Sequence, residues 1–205
     1  IYPGQPYAIL DGAAVQMAHA MVLLDAFVRG IAAEFPNSSL RIYGVPGNHG
    51  RASKTAHPHS NWDMGLYRAL GAMWRKEIVL PDSRTLFVLL NGIPTMMHHG
   101  HIRSMKSHAG IPWYGIQRHL GTLFQKFSSC YNRELSEVPV GLFLCGHYHQ
   151  VGQAPFGRML GLSNGSTLGI SDHSFEETFA PAPRSQVMLT LANGRIVGHH
   201  TFWLR

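Results

Sequence analysis

The sequence predicts one α/β domain, and three observations predict it. Long stretches of helical periodicity alternate with short apolar runs; the short runs end at or near glycines; and the apolar content suffices for one substantial core. With 205 residues, 45% of them hydrophobic and 14% charged, the chain is long enough to bury that core and too apolar for disorder. A single domain over residues 1–205 is the expected organisation, without repeats or a linker.

The elements follow in order. From Asp11 to Glu34 apolar residues recur at helical spacing (Val15, Ala18, Met21, Val22, Leu24, Phe27, Val28, Ile31), which predicts an amphipathic helix with Asp11 as its N-cap. Pro36-Asn37-Ser38-Ser39 stops it. Leu40 to Val45 has β character and runs into Pro46-Gly47; a second helix is expected over Trp62 to Lys76. Thr85–Leu90 and Ile93–Met97 flank Asn91-Gly92, the strongest short signal for a hairpin. A helix from Tyr114 to Asn132 and a buried strand from Val138 to Cys145 come next. The tail, with Met159–Leu162, Gln186–Leu191 and Arg195–Trp203 broken by Asn-Gly turns, predicts a mostly antiparallel, strand-rich end.

Composition narrows the function classes. Net charge is +6 and Arg outnumbers Lys, which suits phosphate oxygens and leaves nucleic acid or another polyanion open as a partner. Cys130 and Cys145 are far apart and lack metal-ligand spacing; a reduced, buried thiol in a reducing, cytoplasmic compartment is the expectation. The apolar stretch from Ala13 to Phe35 is interrupted by His19, Asp25, Arg29 and Glu34, so no membrane span or membrane partner is expected. The unusual feature is 14 histidines, which cluster.

Three apolar strands end in ligand-type side chains. Leu40–Val45 leads to Gly47-Asn48-His49-Gly50-Arg51, Ile93–Met97 to His98-His99-Gly100-His101, and Leu142–Cys145 to Gly146-His147-Tyr148-His149. In α/β sheets, sites lie beyond the carboxyl ends of strands. In an extended segment, His147 and His149 would point to one side, roughly 6–7 Å apart at Cα, a spacing that lets each reach a different metal of a pair. Each motif alone also has a bland explanation: Asn-His between glycines is ordinary turn chemistry, and the other two fit surface loops. Their joint occurrence at three strand ends argues for a site. His57-Pro58-His59, His173 and His199-His200 lack that context and are expected to be surface or packing residues. The Gly47–Thr55 stretch is no P-loop, because Gly-Lys-Ser/Thr is missing.

The order Gly-Asn-His, His-Gly-His, Gly-His-x-His resembles the last three motifs of the calcineurin-like metallophosphoesterases. That resemblance implies an αββα sandwich and hydrolysis of phosphate esters by a hydroxide activated by two divalent metals (Mn, Fe or Zn). It implies Asn48, His99 and His147 as ligands of one metal, His149 as a ligand of the other, and His49 as the histidine that contacts phosphate and protonates the leaving group. His98 is the alternative to His99.

The chain departs from the family in two ways. The first two motifs, Asp-x-His and Gly-Asp-x-x-Asp, are absent, which with Ile1 at the start leads us to expect a fold lacking an N-terminal βαβ portion, impaired as it stands and active when complete. Gly50-Arg51 replaces the acid that often follows Gly-Asn-His; Arg51 and Lys54 then become candidates to bind substrate phosphate or plain solvated cations. Asp63 could orient His49, or cap a helix. Two rivals stay open: an inactive basic module that binds nucleic acid, and a one-metal zinc hydrolase built from His99, His101, His147 and His149.

Overall fold

The computed structural model describes residues 12–53, 57–74, 78–101, 110–130, 141–168 and 182–204, with the main chain alone for 124–130. Asp11, Lys54 and His173 lie outside the described residues. The chain divides by its contacts into two compact units, Ile1–Leu86 and Phe87–Arg205.

The first unit carries α1 (Ala13–Glu34), β1 (Ile42–Tyr43), α2 (Trp62–Trp74) and β2 (Ile78–Val79). Gly12 stands at the N-cap of α1 with no side-chain cap bond. The amphipathic expectation for α1 is met only in part: Val28 is its buried residue, whereas Val15, Val22 and Phe27 are exposed. By length and composition alone α1 is long and apolar enough to cross a membrane. Two of the polar residues that interrupt it engage α2: Asp25 accepts the Trp74 indole N–H at 2.7 Å and the Arg29 Nε–H at 2.9 Å, and the Arg29 guanidinium lies 4.8 Å from the Trp74 ring centre. Met64, Leu66 and Leu70 of α2 are buried. β1 and β2 pair in parallel, and Gly44, just past β1, admits the Tyr67 ring where a Cβ would collide with it. The two-residue β2 carried too little sequence pattern to be foreseen.

The second unit is built on a five-stranded sheet in the order β3-β4-β5-β7-β6. Its strands are β3 (Thr85–Leu90), β4 (Ile93–His98), β5 (Leu142–Cys145), β6 (Gly152–Phe156) and β7 (Met159–Ser163); the division between the units falls within β3. The hairpin expected at Asn91-Gly92 forms, with both residues at positive φ (45° and 79°), the backbone a tight two-residue turn requires. β4, β5 and β7 run parallel; β6 pairs antiparallel with β7. Helix α3 (Trp113–Cys130) buries Ile116 and Leu120 with Met96, Phe143, Cys145 and Met159 in one apolar cluster. The buried Cys145 thiol is as expected, and burial pushes its pKa up to about 12. A separate hairpin, β8 (Ser185–Ala192) with β9 (Arg195–Trp203), turns at Asn193-Gly194. The fold is α/β with a central mixed sheet; as expected, the strand-rich tail pairs antiparallel at β6–β7 and β8–β9, while β7 also joins β5 in parallel.

A histidine cluster at two parallel strand ends

The register Thr95–Leu142, Met96–Phe143 and Met97–Leu144 sets β4 and β5 side by side in one direction. Their following loops therefore leave the sheet at the same edge, which places His98-His99-Gly100-His101 beside Gly146-His147-Tyr148-His149. Hydrogen bonds fasten one loop to the other. The Gly146 N–H donates to the His99 carbonyl at 3.0 Å, and the Tyr148 hydroxyl donates to the Gly100 carbonyl at 2.9 Å. Gly100, at φ 115°, lies so close that a Cβ there would be 2.9 Å from His147 Cβ and 3.0 Å from the Gly146 carbonyl oxygen.

This arrangement gathers four imidazoles. Ring centres are 5.1 Å apart for His99 and His147, 5.3 Å for His98 and His101, 5.4 Å for His99 and His101, and 6.2 Å for His101 and His147. Of the expected ligands in this unit, His99 and His147 come together and His149 is exposed. The choice between His98 and His99 now has a physical handle. His98 is buried, and its Nδ1 accepts the Gly100 N–H at 2.9 Å. A neutral His98 ring therefore carries its proton on Nε2, leaving no nitrogen lone pair uncommitted, which weighs against it as a ligand.

The extended Gly-His-x-His expected from sequence is not what forms. His147 and His149 both adopt left-handed backbone, φ 70° and 58°. Such conformations cost about 1–3 kcal/mol each in residues with a Cβ and persist where surrounding structure imposes them. Here the chain must turn sharply for Tyr148 to reach Gly100, and the alternation of an extended strand is lost. Burial, with a smaller contribution from Cys145, pushes the Tyr148 phenol well above its ordinary range, so it stays a neutral donor.

No group of three or more His, Cys, Asp or Glu side chains among the described residues is arranged to hold a metal ion. The 5.1 Å between the His99 and His147 ring centres is the separation that two imidazoles on one tetrahedral ion, each nitrogen about 2.0–2.1 Å from it, would show.

Asn48 and His49 lie in the first unit, on the loop after β1, between Gly47 and Gly50. Arg51 Nε donates to the Asn48 carbonyl at 2.8 Å, so this nitrogen serves the loop and phosphate binding would fall to the terminal guanidinium nitrogens. Asp63, in the first turn of α2, accepts the Gly47 N–H on its Oδ2 at 2.8 Å, a role that spacing along the sequence did not reveal. His57 and His59 stack at 5.0 Å, with His59 Nδ1 2.8 Å from Arg68 and its Nε2 3.5 Å from Asp82, a surface network as expected.

No family model matches the sequence, and no curated protein matches it. Among solved structures the chain is similar to an archaeal phosphodiesterase, at 14% identity over 85% of this chain and 75% of that one, TM-score 0.46. It is also similar to a Thermotoga maritima protein (16% identity, 80% of each chain, TM-score 0.41). A third is Vps29 of Entamoeba histolytica in complex with Zn2+ (13% identity, 80% of this chain and 95% of that one, TM-score 0.34). Likeness at this level bears on fold alone and assigns no chemistry to the chain.

Proposed function

We propose that this chain is a metal-dependent phosphoesterase, with phosphodiesters such as nucleic acid as its favoured substrates. The reading is carried by His99 and His147, whose rings stand 5.1 Å apart at the ends of adjacent parallel strands. These two would hold a divalent ion, and His149, exposed on the same loop, would serve a second. Bound divalent ions supply charge to offset that of the phosphoryl oxygens and acidify water. The loop bonds through Gly146 and Tyr148 tie together the two backbones that carry these imidazoles, which supports a pair formed before binding. For Asn48 as a further ligand, His49 as proton donor to the leaving oxygen, and Arg51 as a phosphate contact, the support is the Gly-Asn-His-Gly-Arg sequence. The charge of +6 and the excess of Arg support a polyanionic substrate.

The test is hydrolysis of bis-p-nitrophenyl phosphate with manganese by the full-length protein and by its His49→Ala and His147→Ala variants. Each substitution is expected to lower kcat by about 100-fold or more. Equal rates in all three would discard the reading. A one-metal zinc hydrolase built from His99, His101, His147 and His149 is the rival reading, with its support in the sequence alone. Metal analysis separates the two: about one tightly held ion per chain for the zinc site, about two for the phosphoesterase.

A further inference from the structure

Gly47 is held at both of its polar groups by side chains from the start of α2. Asp63 Oδ2 accepts its N–H at 2.8 Å, and Asn61 Nδ2 donates to its carbonyl at 2.8 Å. Asn61 Oδ1 in turn accepts the Asp63 backbone N–H at 2.8 Å, tying the Asn61 side chain to the first turn of α2. Three residues on, the Gly50 carbonyl accepts the Trp62 N–H at 2.7 Å, and Arg51 bridges to Asn61. Gly50 has no room for a side chain: a Cβ would collide with Asn61 Oδ1 and lie 2.6 Å from the Asp63 carboxylate carbon. Only Asn48 and His49 lie between these two anchored glycines.

Helix capping explains one of these bonds. Asn61 Oδ1 on the Asp63 N–H is an ordinary N-cap contact. It does not explain why Asn61 is 6% exposed with its amide donating 14 residues back, or why the Asp63 carboxylate is turned on the Gly47 N–H rather than on the first turn of α2. A capping pair would work as well without either bond.

We propose that Asn61 and Asp63 are positioning residues, a two-point clamp on Gly47 that fixes how the loop presents Asn48 and His49. What the loop is for rests on the phosphoesterase reading; how it is held does not. Asp63 acts as a hydrogen-bond acceptor, so Asp63→Asn, which keeps an acceptor oxygen, preserves the clamp and Asp63→Ala breaks it. Asn61→Ser keeps a good N-cap, but its shorter side chain does not reach the Gly47 carbonyl, so it separates capping from clamping.

The experiment is amide hydrogen exchange on peptides spanning residues 44–53 of the full-length protein, with kcat and KM on bis-p-nitrophenyl phosphate alongside. Asp63→Ala and Asn61→Ser are expected to speed exchange at 47–50 about tenfold and to lower kcat by up to about 100-fold with KM within a few-fold, the signature of misplaced groups. Asp63→Asn should restore both. Exchange unchanged in Asn61→Ser leaves a plain helix cap and overturns the proposal, and so does an Asp63→Asn variant as impaired as Asp63→Ala. Should Asp63→Ala fail to fold, Asn61→Ser against Asp63→Asn decides by the same criteria. A wild-type protein inert on the diester would sink the phosphoesterase reading, while the exchange comparison would still decide the clamp.

Discussion

Replacing Gly100 with alanine tests whether the two histidine loops are packed as tightly as their bonds indicate. The new Cβ would sit 2.9 Å from His147 Cβ, 3.0 Å from the Gly146 carbonyl oxygen and 3.3 Å from Tyr148 Cε2, on a backbone with φ 115°. Two costs add. Holding a residue with a Cβ at such a φ costs about 1–3 kcal/mol, and forcing a methyl into filled space costs a further ~1–3 kcal/mol. A total of about 2–6 kcal/mol lowers the melting temperature by about 5–20 °C in a chain of this size. Gly146 is the internal control, because a Cβ there meets only the His99 carbonyl oxygen at 3.8 Å, an ordinary contact. Gly146→Ala is therefore expected to change stability by less than about 1 kcal/mol. Urea unfolding followed by tryptophan fluorescence measures both, and Zn2+ titration of the folded proteins reads the spacing of His99 and His147. If the two alanine variants share one midpoint and one zinc affinity, the tight-packing argument is wrong.

Three further outcomes follow from the same structure. Tyr148→Phe removes the donor to the Gly100 carbonyl, which costs about 1–2 kcal/mol and loosens zinc binding without altering the sheet; urea midpoints that match wild type would show that the bond contributes nothing. Burial, aided by Asp63, raises the Tyr67 pKa from 10.0 to about 12. A raised folded-state pKa means its contribution to stability is whole below pH ~10 and is lost as pH climbs through ~12, a loss of about 2 kcal/mol that Tyr67→Phe should abolish in an alkaline melting series. On the acid side, the Arg29 hydrogen bond holds Asp25 below its ordinary pKa, so its contribution disappears as pH falls through the lowered value, and Asp25→Asn flattens that limb.

What the sequence made legible was what local chemistry enforces. Asn91-Gly92 turned a hairpin because both positions need positive φ, and Asn and Gly tolerate it cheaply. The helix expected over Trp62 to Lys76 forms as α2, Trp62–Trp74 in the described residues. β6 escaped notice because Gly152-Gln153-Ala154-Pro155-Phe156 lacks β-branched residues and contains a proline. It is the edge strand of the sheet, the position where a missing N–H is tolerated. For the site, the ligand-type residues at the ends of β4 and β5 were readable, but their meeting depends on those strands being neighbours and parallel, and no local pattern encodes that.

The same division explains what supports each of these loops. A motif such as Gly-His-x-His names the side chains and says nothing of the backbone that aims them; here His147 and His149 are both left-handed, and the Tyr148 between them is bonded to Gly100, 48 residues back in the chain. Around Asn48 and His49 the supporting groups are Asn61 and Asp63, at sequence distances of 14 and 16 from the glycine they hold. Both supports act through backbone atoms of glycines, which no side-chain signature records. Residues that carry chemistry can be guessed from type and order, whereas the residues that aim them become visible only when the partners of each loop's N–H and C=O groups are traced. Changes at Gly100, Tyr148, Asn61 and Asp63 should for that reason alter the histidine loops while leaving every ligand-type side chain in place.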